Sequence, residues 1–200
     1  MKRANWLISG VLLVAFAVIS LVAGLWISRQ NNEIQNPYSN VGGEFTLVSK
    51  DGPVSLSDYQ GRVVLLFFGY TLCPDVCPTH LARMGAAFNE LTINELNKVR
   101  GIFVSVDSER DTQDKVSNYA SFFHKNIIGL TGSPDEIRAV ADKYFVVYQK
   151  IDQEGSALVY TLDHSATTFL IGRDGQVVEL LRQGTIIEEM VRSIRVALDG

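Results

Sequence analysis

The stretch that most constrains the fold runs from an apolar hexapeptide, through two cysteines, into a helical pattern. Val63–Phe68 is apolar throughout, which is typical of a strand buried on both faces. Pro78 suits the first position of a helix, where its missing amide proton costs nothing. Cys73 and Cys77, both cysteines of the protein, therefore lie on a strand-to-helix loop (residues 69–77, the cysteine loop). The positive end of the helix dipole favours a thiolate there, and a thiolate binds soft metals or attacks disulfides.

The order of the predicted elements indicates a thioredoxin-like α/β fold. A strand–helix–strand half is followed, after further helices, by two antiparallel strands and a closing helix, which gives a central mixed sheet with helices on both faces. The cysteine loop follows the first core strand, where that fold carries its redox site. An N-terminal β-hairpin extends the domain. The predicted strands cover residues 44–48, 54–56, 63–68, 101–106, 127–130, 146–151, 157–160, 167–171 and 177–181, and the predicted helices cover 78–96, 112–123, 134–144 and 186–198.

The N-terminal segment predicts a single transmembrane helix. Residues 6–27 are 22 uncharged residues, enough to cross the hydrocarbon core of a bilayer. Lys2 and Arg3 place the stub of residues 1–5 in the cytoplasm. A polar linker at 28–42 then leads to the domain, residues 43–200, on the outer face of the plasma membrane. A cleaved signal peptide is the competing interpretation, but the long apolar run and the lack of a clear A-x-A site favour the anchor.

The charge of the outer part excludes one class of partner. All 22 acidic residues follow Arg29, whereas three of the 18 basic residues do not, so residues 30–200 carry a net charge of −7 at pH 7. They lack the basic stripe that nucleic-acid binding requires, so no nucleic-acid partner is expected. Outside the cytoplasm a cysteine pair can be both oxidised and reduced, which suits a redox or metal site.

A third candidate ligand lies far along the chain. His164 is in the predicted loop before strand 167–171, and in a thioredoxin-like sheet that loop packs against the cysteine loop. We therefore expect His164 to meet Cys73 and Cys77. Two thiolates and one imidazole suit Cu(I), and the imidazole also helps to retain Cu(II). Zinc stays open but fits less well, since it usually takes a fourth protein ligand or a water.

Several motifs together resemble the Sco/SenC family. The resemblance covers roughly residues 43–198, and its most specific part is the C-P-D-V-C-P stretch with a distant D-H-S. Ser108 and Gln113 stand where the family often has prolines, which affects the expected shape of that loop rather than the metal site. The motifs are GYTLCPDVCPT at 69–79, VSVD at 104–107, ERDT at 109–112 and DHS at 163–165.

The resemblance implies a fold, a cofactor and a partner. Members of the family are membrane-tethered, thioredoxin-like copper proteins that help to assemble the dinuclear copper (CuA) site of cytochrome c oxidase. By position, Cys73, Cys77 and His164 are the implied copper ligands for one copper ion, as Cu(I) or Cu(II). The implied partners are the copper-bearing oxidase subunit and, further, a copper donor protein or a thioredoxin-like reductant.

Two enzyme classes compete with a copper chaperone. The cysteine pair could form a thiol–disulfide oxidoreductase that keeps cysteines of an oxidase subunit reduced, although such catalysts usually carry C-x-x-C and need no His164. A thiol peroxidase would use Cys73 to attack peroxide and Cys77 to resolve it, with Thr71 as its only other support. A purely structural disulfide would close a very short loop and stabilise little. Enzymatic activity therefore stays open, with a non-enzymatic chaperone favoured.

Three residues are candidates to support the site without binding metal. Asp163 precedes His164 and could orient the imidazole, as carboxylates often do for histidine ligands. Tyr70 opens the segment that leads to the cysteines. Asp75 lies between them, as a turn residue or as a charge that tunes metal affinity.

Other polar residues near these motifs have simpler interpretations. His80 falls in the first turn of the predicted helix and is expected to be a polar surface residue. His124 ends a helix, where a cation favours the local dipole. The Glu109–Asp111 cluster is expected to be a solvated loop.

Overall fold

The computed structural model describes residues 16–25, 36–152 and 160–200. The chain divides into two units, Met1–Asn36 and Pro37–Gly200. In the first unit, residues 16–25 are helical. Among the residues so described, no helix combines the length and the apolar character needed to span a bilayer. Most of the predicted anchor, and the predicted linker up to residue 35, lie outside the described residues, as does the predicted stub.

The second unit is built on a five-stranded mixed sheet with the strand order β5-β4-β3-β8-β9. β3, β4 and β5 are parallel, whereas β8 is antiparallel to β3 and to β9. Two separate hairpins, β1–β2 and β6–β7, complete the strands. The strands are β1 (Thr46–Ser49), β2 (Gly52–Ser55), β3 (Val63–Gly69), β4 (Val99–Ser105), β5 (Ile127–Leu130), β6 (Tyr148–Asp152), β7 (Tyr160–His164), β8 (Thr168–Ile171) and β9 (Val177–Leu181).

Helices cover both faces of this sheet, as the thioredoxin-like prediction requires. Because strand side chains alternate between faces, β3 contributes side chains to the hydrophobic core on each face of the sheet. Val63, Leu65 and Phe67 pack with α1, α3 and α5, whereas Val64, Leu66 and Phe68 pack with α4 and the N-terminal hairpin. The helices are α1 (Val76–Asn89), α2 (Ile93–Leu96), α3 (Gln113–Phe123), α4 (Pro134–Lys143) and α5 (Ile187–Asp199), with a 3-10 turn at Leu56–Tyr59.

The helix predicted over 78–96 is wrong at both its start and its interior. It begins at Val76, so Cys77 already lies in the first turn. It ends at Asn89, and a second short helix starts after Thr92. Thr92 and Glu95 form a capping box, in which the Thr92 hydroxyl accepts from the Glu95 amide and the Glu95 carboxylate accepts from the Thr92 amide. The capping box thus starts a new helix, although the apolar spacing across residues 90–92 predicts one continuous helix.

The strand predicted to end at Tyr160 continues to His164 instead, and this changes the setting of His164. The strand is Tyr160–His164, with His164 opposite Tyr148 in the β6–β7 register. His164 is therefore the last residue of a strand rather than a loop residue. The prediction rests on the apolar run before Tyr160, whereas backbone pairing with β6 extends to His164. Residues 153–159 lie outside the described ranges.

Candidate metal centre

The cysteine loop leaves the end of β3 and enters α1 within six residues. Cys77 is fully buried in the first turn of α1, whereas Cys73 is partly exposed, and both are free thiols. Gly69 allows this packing, because a Cβ at that position would stand 2.6 Å from the Cys77 sulfur. The buried sulfur thus rests directly against the backbone at the end of β3.

The imidazole of His164 reaches the cysteines from β7. Its Nε2 lies 3.4 Å from Cys77 Sγ, and its Nδ1 lies 3.2 Å from the carbonyl oxygen of Ser165. A neutral imidazole that donates from Nδ1 to this carbonyl leaves the Nε2 lone pair facing the sulfurs. The candidate ligand atoms of Cys73, Cys77 and His164 all lie within 4.8 Å of one another. The structure therefore brings together the three residues predicted as ligands.

The two thiols differ in their readiness to ionise. The pKa of Cys73 is lowered to about 3, first because the Cys77 thiol donates a hydrogen bond to it, with further help from the amides of Cys77 and Asp75. The pKa of Cys77 is raised, because its proton is held by Cys73 and because the sulfur is buried. The free site therefore favours a thiolate at Cys73 and a protonated thiol at Cys77, so a metal ion bound through both sulfurs would displace the Cys77 proton.

This donor set fits a soft, low-coordinate metal ion. Two sulfurs and one imidazole nitrogen converge, with Nδ1 occupied by a backbone carbonyl and Nε2 left to bind. In the described part of the chain no Asp or Glu oxygen joins this group. Copper accepts such a three-donor set, whereas a structural zinc site usually takes four protein ligands. A groove of about 420 Å³ opens onto Cys73 and His164.

A family comparison identifies what kind of chain carries this site. The model of the SCO1/SenC family matches residues 33–199. The chain belongs to the SCO1/SenC family. The resemblance that the cysteine and histidine motifs indicated is thereby confirmed, over a slightly longer stretch than those motifs cover.

Individual SCO1/SenC relatives agree in sequence and in fold. Protein SCO1 homolog 1, mitochondrial, from Arabidopsis thaliana is 37% identical over 155 residues, which is 77% of this chain but only 46% of the plant protein. The crystal structure of Arabidopsis thaliana ScoI with copper bound superposes with a TM-score of 0.73 at 36% identity, covering 80% of this chain and 98% of that one. BsSco, a member of the Sco family of cytochrome c oxidase assembly proteins, has a TM-score of 0.62 at 27% identity, covering 84% and 98%.

Of the three residues expected to support the metal site, Tyr70 contacts the His164 ring, Asp163 faces away from it and Asp75 caps α1. Tyr70 is buried, and its ring meets the His164 ring edge-on, with centroids 5.9 Å apart. Asp163 is exposed, and Nδ1 of His164 contacts the Ser165 carbonyl instead, so the predicted orienting carboxylate is wrong. Successive strand residues point to opposite faces, which turns Asp163 away from its neighbour. Asp75 is the N-terminal cap residue of α1, and its amide contributes to lowering the pKa of Cys73.

His80 is a buried residue, so its predicted surface position is wrong. Its ring stacks on Phe67 at 4.5 Å and its Nε2 contacts the Thr168 hydroxyl. Only 2% of the side chain is exposed, and burial lowers the pKa of His80 to about 4. His80 lies three residues after Cys77 and four before Met84, so it shares the face of α1 that buries both.

The predicted role of His124, a cation at the end of a helix, also differs from what the structure shows. Its Nδ1 accepts a hydrogen bond from the Asn126 amide, which requires that nitrogen to be unprotonated. Burial lowers its pKa, and Lys125 acts in the same direction. A cation at the end of α3 is therefore disfavoured, and the prediction of a helix-dipole cation is wrong.

The loop of residues 107–111 is not solvated, which the sequence interpretation missed. Asp111 is 1% exposed and accepts from the Thr71 amide at 2.8 Å, the Thr71 hydroxyl at 2.5 Å and the Ser105 hydroxyl at 2.6 Å. Asp107 is 2% exposed. Only Glu109 behaves as expected and stays exposed. The sequence does carry one indication that these residues belong to the site, which is their position just after a buried strand. Polar residues that follow a buried parallel strand lie at the sheet edge where such folds place their sites.

Proposed function

We propose that this chain binds one copper ion through Cys73, Cys77 and His164 and acts in the assembly of the CuA site of cytochrome c oxidase. The observation that carries the proposal is the convergence of two free thiols and an imidazole nitrogen whose other ring nitrogen is already bonded to a carbonyl. The copper-bound plant relative and the assembly role of BsSco support it.

The differing burial of the donors suggests how copper is accepted and released. Cys73 and His164 line the open groove, whereas Cys77 is buried beneath it. Cys73, whose lowered pKa favours the thiolate, meets the ion first, His164 supplies its Nε2, and Cys77 binds last and releases its proton to solvent through the groove. Ligands of an acceptor protein enter through the groove and replace the exposed donors before the buried one. Only the reduced dithiol holds copper, because a Cys73–Cys77 disulfide has no thiolate to offer.

The proposal includes a location. Residues 6–27 anchor the chain as a single membrane-spanning helix, residues 1–5 stay in the cytoplasm, and residues 28–42 link the anchor to the domain, residues 43–200. The domain then faces the outer side of the plasma membrane. The uncharged run and the preceding Lys2 and Arg3 support this arrangement. The partners are the copper-bearing oxidase subunit and, on the supply side, a copper donor or a thioredoxin-like reductant.

One observation favours a second function, a thiol–disulfide oxidoreductase. Cys73 is partly exposed and its pKa is low, which are the properties of an attacking thiol. The peroxidase alternative loses its support, because the Thr71 hydroxyl donates to Asp111 rather than to a sulfur.

Replacement of His164 by alanine separates the two functions. We expect His164→Ala to weaken Cu(I) affinity by on the order of 100-fold or more, since a ligand should matter at least as much as the groups that orient ligands. Disulfide exchange, which needs only the cysteines, should continue. His124→Ala is the matched control and should leave both properties unchanged. If His164→Ala abolished exchange but kept the copper affinity, the oxidoreductase would replace the copper protein as the leading function.

A further inference from the structure

We propose that the loop of residues 107–111, between β4 and α3, is a positioning element that holds the cysteine loop and the histidine strand at the separation that one metal ion needs. The inference rests on the proposed copper function and deepens it. It concerns residues that bind no metal themselves and that act through Thr71 and Tyr160.

One end of this loop fixes the cysteine side of the site. The carboxylate of Asp111 accepts both the amide and the hydroxyl of Thr71, two residues before Cys73. Ser105 and Lys115 satisfy the same carboxylate, at 2.6 and 3.1 Å. Four partners around a buried charge leave it little freedom to move. The start of the cysteine loop is thereby tied to β4 and α3.

The other end fixes the histidine side. The Arg110 guanidinium lies 3.6 Å from the centroid of the Tyr160 ring, and its Nη1 donates to the Tyr160 carbonyl at 2.9 Å. Asp107 accepts from Arg110 Nε at 2.6 Å and from the Tyr160 hydroxyl at 2.7 Å. Tyr160 and His164 are the first and last residues of β7. Arg110 and Asp107 therefore hold the start of the strand that carries the imidazole.

The two ends are rigidly joined. The amides of Arg110 and Asp111 both donate to the carbonyl of Asp107, at 3.2 and 2.9 Å, so the loop is a closed turn. Arg110 and Asp111 are consecutive residues, one bonded to the histidine strand and the other to the cysteine loop. A shift of one half of the site relative to the other must therefore break buried polar contacts.

The histidine strand needs such a support. In the part of the chain that the structure describes, β6 and β7 form a two-stranded sheet of their own, with no ladder to the five-stranded sheet that holds the cysteine loop. Isolated hairpins are only marginally stable in water, and this one buries a single residue of its two strands, Leu162, in the core. Buried charged groups also stabilise a fold less than apolar packing of the same volume, so their presence beside the site points to specificity of position. Asp107 and Asp111 are 2% and 1% exposed.

The test uses the full chain with Arg110→Gln, which removes the charge and the contacts with Asp107 and the Tyr160 carbonyl, and Glu109→Gln as the matched control. Glu109 also joins this loop to the hairpin, through Lys150 at 2.5 Å and the Tyr160 hydroxyl at 3.5 Å, but both contacts are exposed and should contribute little. Tyr160→Phe is a milder variant, which keeps the ring over Arg110 and removes only the hydroxyl. Two readouts are recorded: Cu(I) affinity by competition with a chelator, and the NMR contact between the His164 and Tyr70 rings in the metal-free protein.

We expect Arg110→Gln to lower Cu(I) affinity by roughly 10- to 100-fold, the usual effect of losing a group that orients a ligand. The His164–Tyr70 contact should weaken in the metal-free variant, and X-ray absorption of its copper form should lose nitrogen while keeping two sulfurs. Tyr160→Phe should change both readouts in the same direction by a smaller amount, and it serves as the test if Arg110→Gln does not fold. Glu109→Gln should change neither.

Unchanged affinity and an unchanged ring contact in Arg110→Gln and Tyr160→Phe would overturn the positioning role. An equal loss of Cu(I) affinity in Glu109→Gln would overturn it too, because the loss would then follow from removing any contact with the hairpin. If the unmodified chain bound no copper, the proposed function would fail, but the metal-free ring contact would still decide whether residues 107–111 position His164.

Discussion

At the scale of single residues, Gly69 determines where the buried sulfur can lie. A methyl group there would stand 2.6 Å from Cys77 Sγ and 2.9 Å from the Phe103 ring. We expect Gly69→Ala to lower the free energy of unfolding by about 1–3 kcal/mol, the usual cost of overpacking a core, and to weaken copper binding because the sulfur must move. Chemical denaturation and a chelator competition measure the two effects.

Gly200→Ala is the control for this substitution, since its added methyl meets nothing closer than 3.9 Å. It should change neither stability nor affinity. A Gly69→Ala protein with unaltered copper affinity would contradict the close packing of Cys77 against the end of β3.

His80 predicts a specific dependence of stability on pH. Burial lowers its pKa from 6.5 to about 4 in the folded protein, so between these values the unfolded chain binds a proton that the native protein does not. The stability contributed by neutral His80 is complete above pH 6.5 and is lost as the pH falls toward 4, by about 3 kcal/mol over the full shift. Urea unfolding of the metal-free protein at several pH values measures this.

His80→Gln removes the titrating group and keeps a side chain that can still reach Thr168. The stability difference between the native protein and this variant should therefore shrink as the pH falls from 6.5 to 4. Parallel stability curves for the two proteins across that range would show that His80 does not remain neutral in the folded state.

The sequence allowed the donors of the site to be predicted, but not their supports. Cys73 and Cys77 have a local signature, and His164 follows from them once the fold is assumed. Nothing local to Asp111 and Arg110 indicates their partners, because Thr71 and Tyr160 lie 40 and 50 residues away in the chain. Charged residues are usually exposed, so an E-R-D sequence is read as solvent-facing until its buried partners are seen.

At the scale of secondary-structure elements, capping signals proved as informative as apolar periodicity. Ser133 caps α4 by accepting from the Glu136 amide, and Pro134 follows it, as the sequence predicts. Thr92 and Glu95 carry the same signal inside a region predicted as continuous helix, and the structure breaks there. β7 is the opposite case, because its position depends on pairing with β6, which no local pattern encodes.

Removal of the α4 cap should destabilise the fold without touching the metal site. Ser133→Ala loses the hydroxyl in contact with Glu136, and we expect a decrease in unfolding free energy of about 1 kcal/mol. Copper affinity should stay unchanged. Ser121→Ala, an exposed position within α3, is the matched control and should have a smaller effect. A Ser133→Ala protein as stable as the parent would show that the capping box contributes nothing to stability.

At the scale of the whole molecule, the order of elements was enough to predict the fold because β3 is apolar on both faces. Its alternating residues require a core on each side, and helices on both faces of a mixed sheet satisfy this. The approach of His164 to the cysteine loop was predicted from the fold, but the polar contacts between the β6–β7 hairpin and residues 107–111 were not, because they join side chains far apart in the chain. The metal centre thus combines one half that the sheet fixes directly and one half held by the turn of residues 107–111.

The most direct test of the account is the copper stoichiometry of the reduced full chain together with X-ray absorption of the loaded form. We predict one equivalent of copper, bound by two sulfurs and one nitrogen, with the nitrogen absent in His164→Ala and retained in His124→Ala. Failure of the reduced protein to retain copper, or a bound ion without the His164 nitrogen, would contradict the three-donor site on which the proposed function depends.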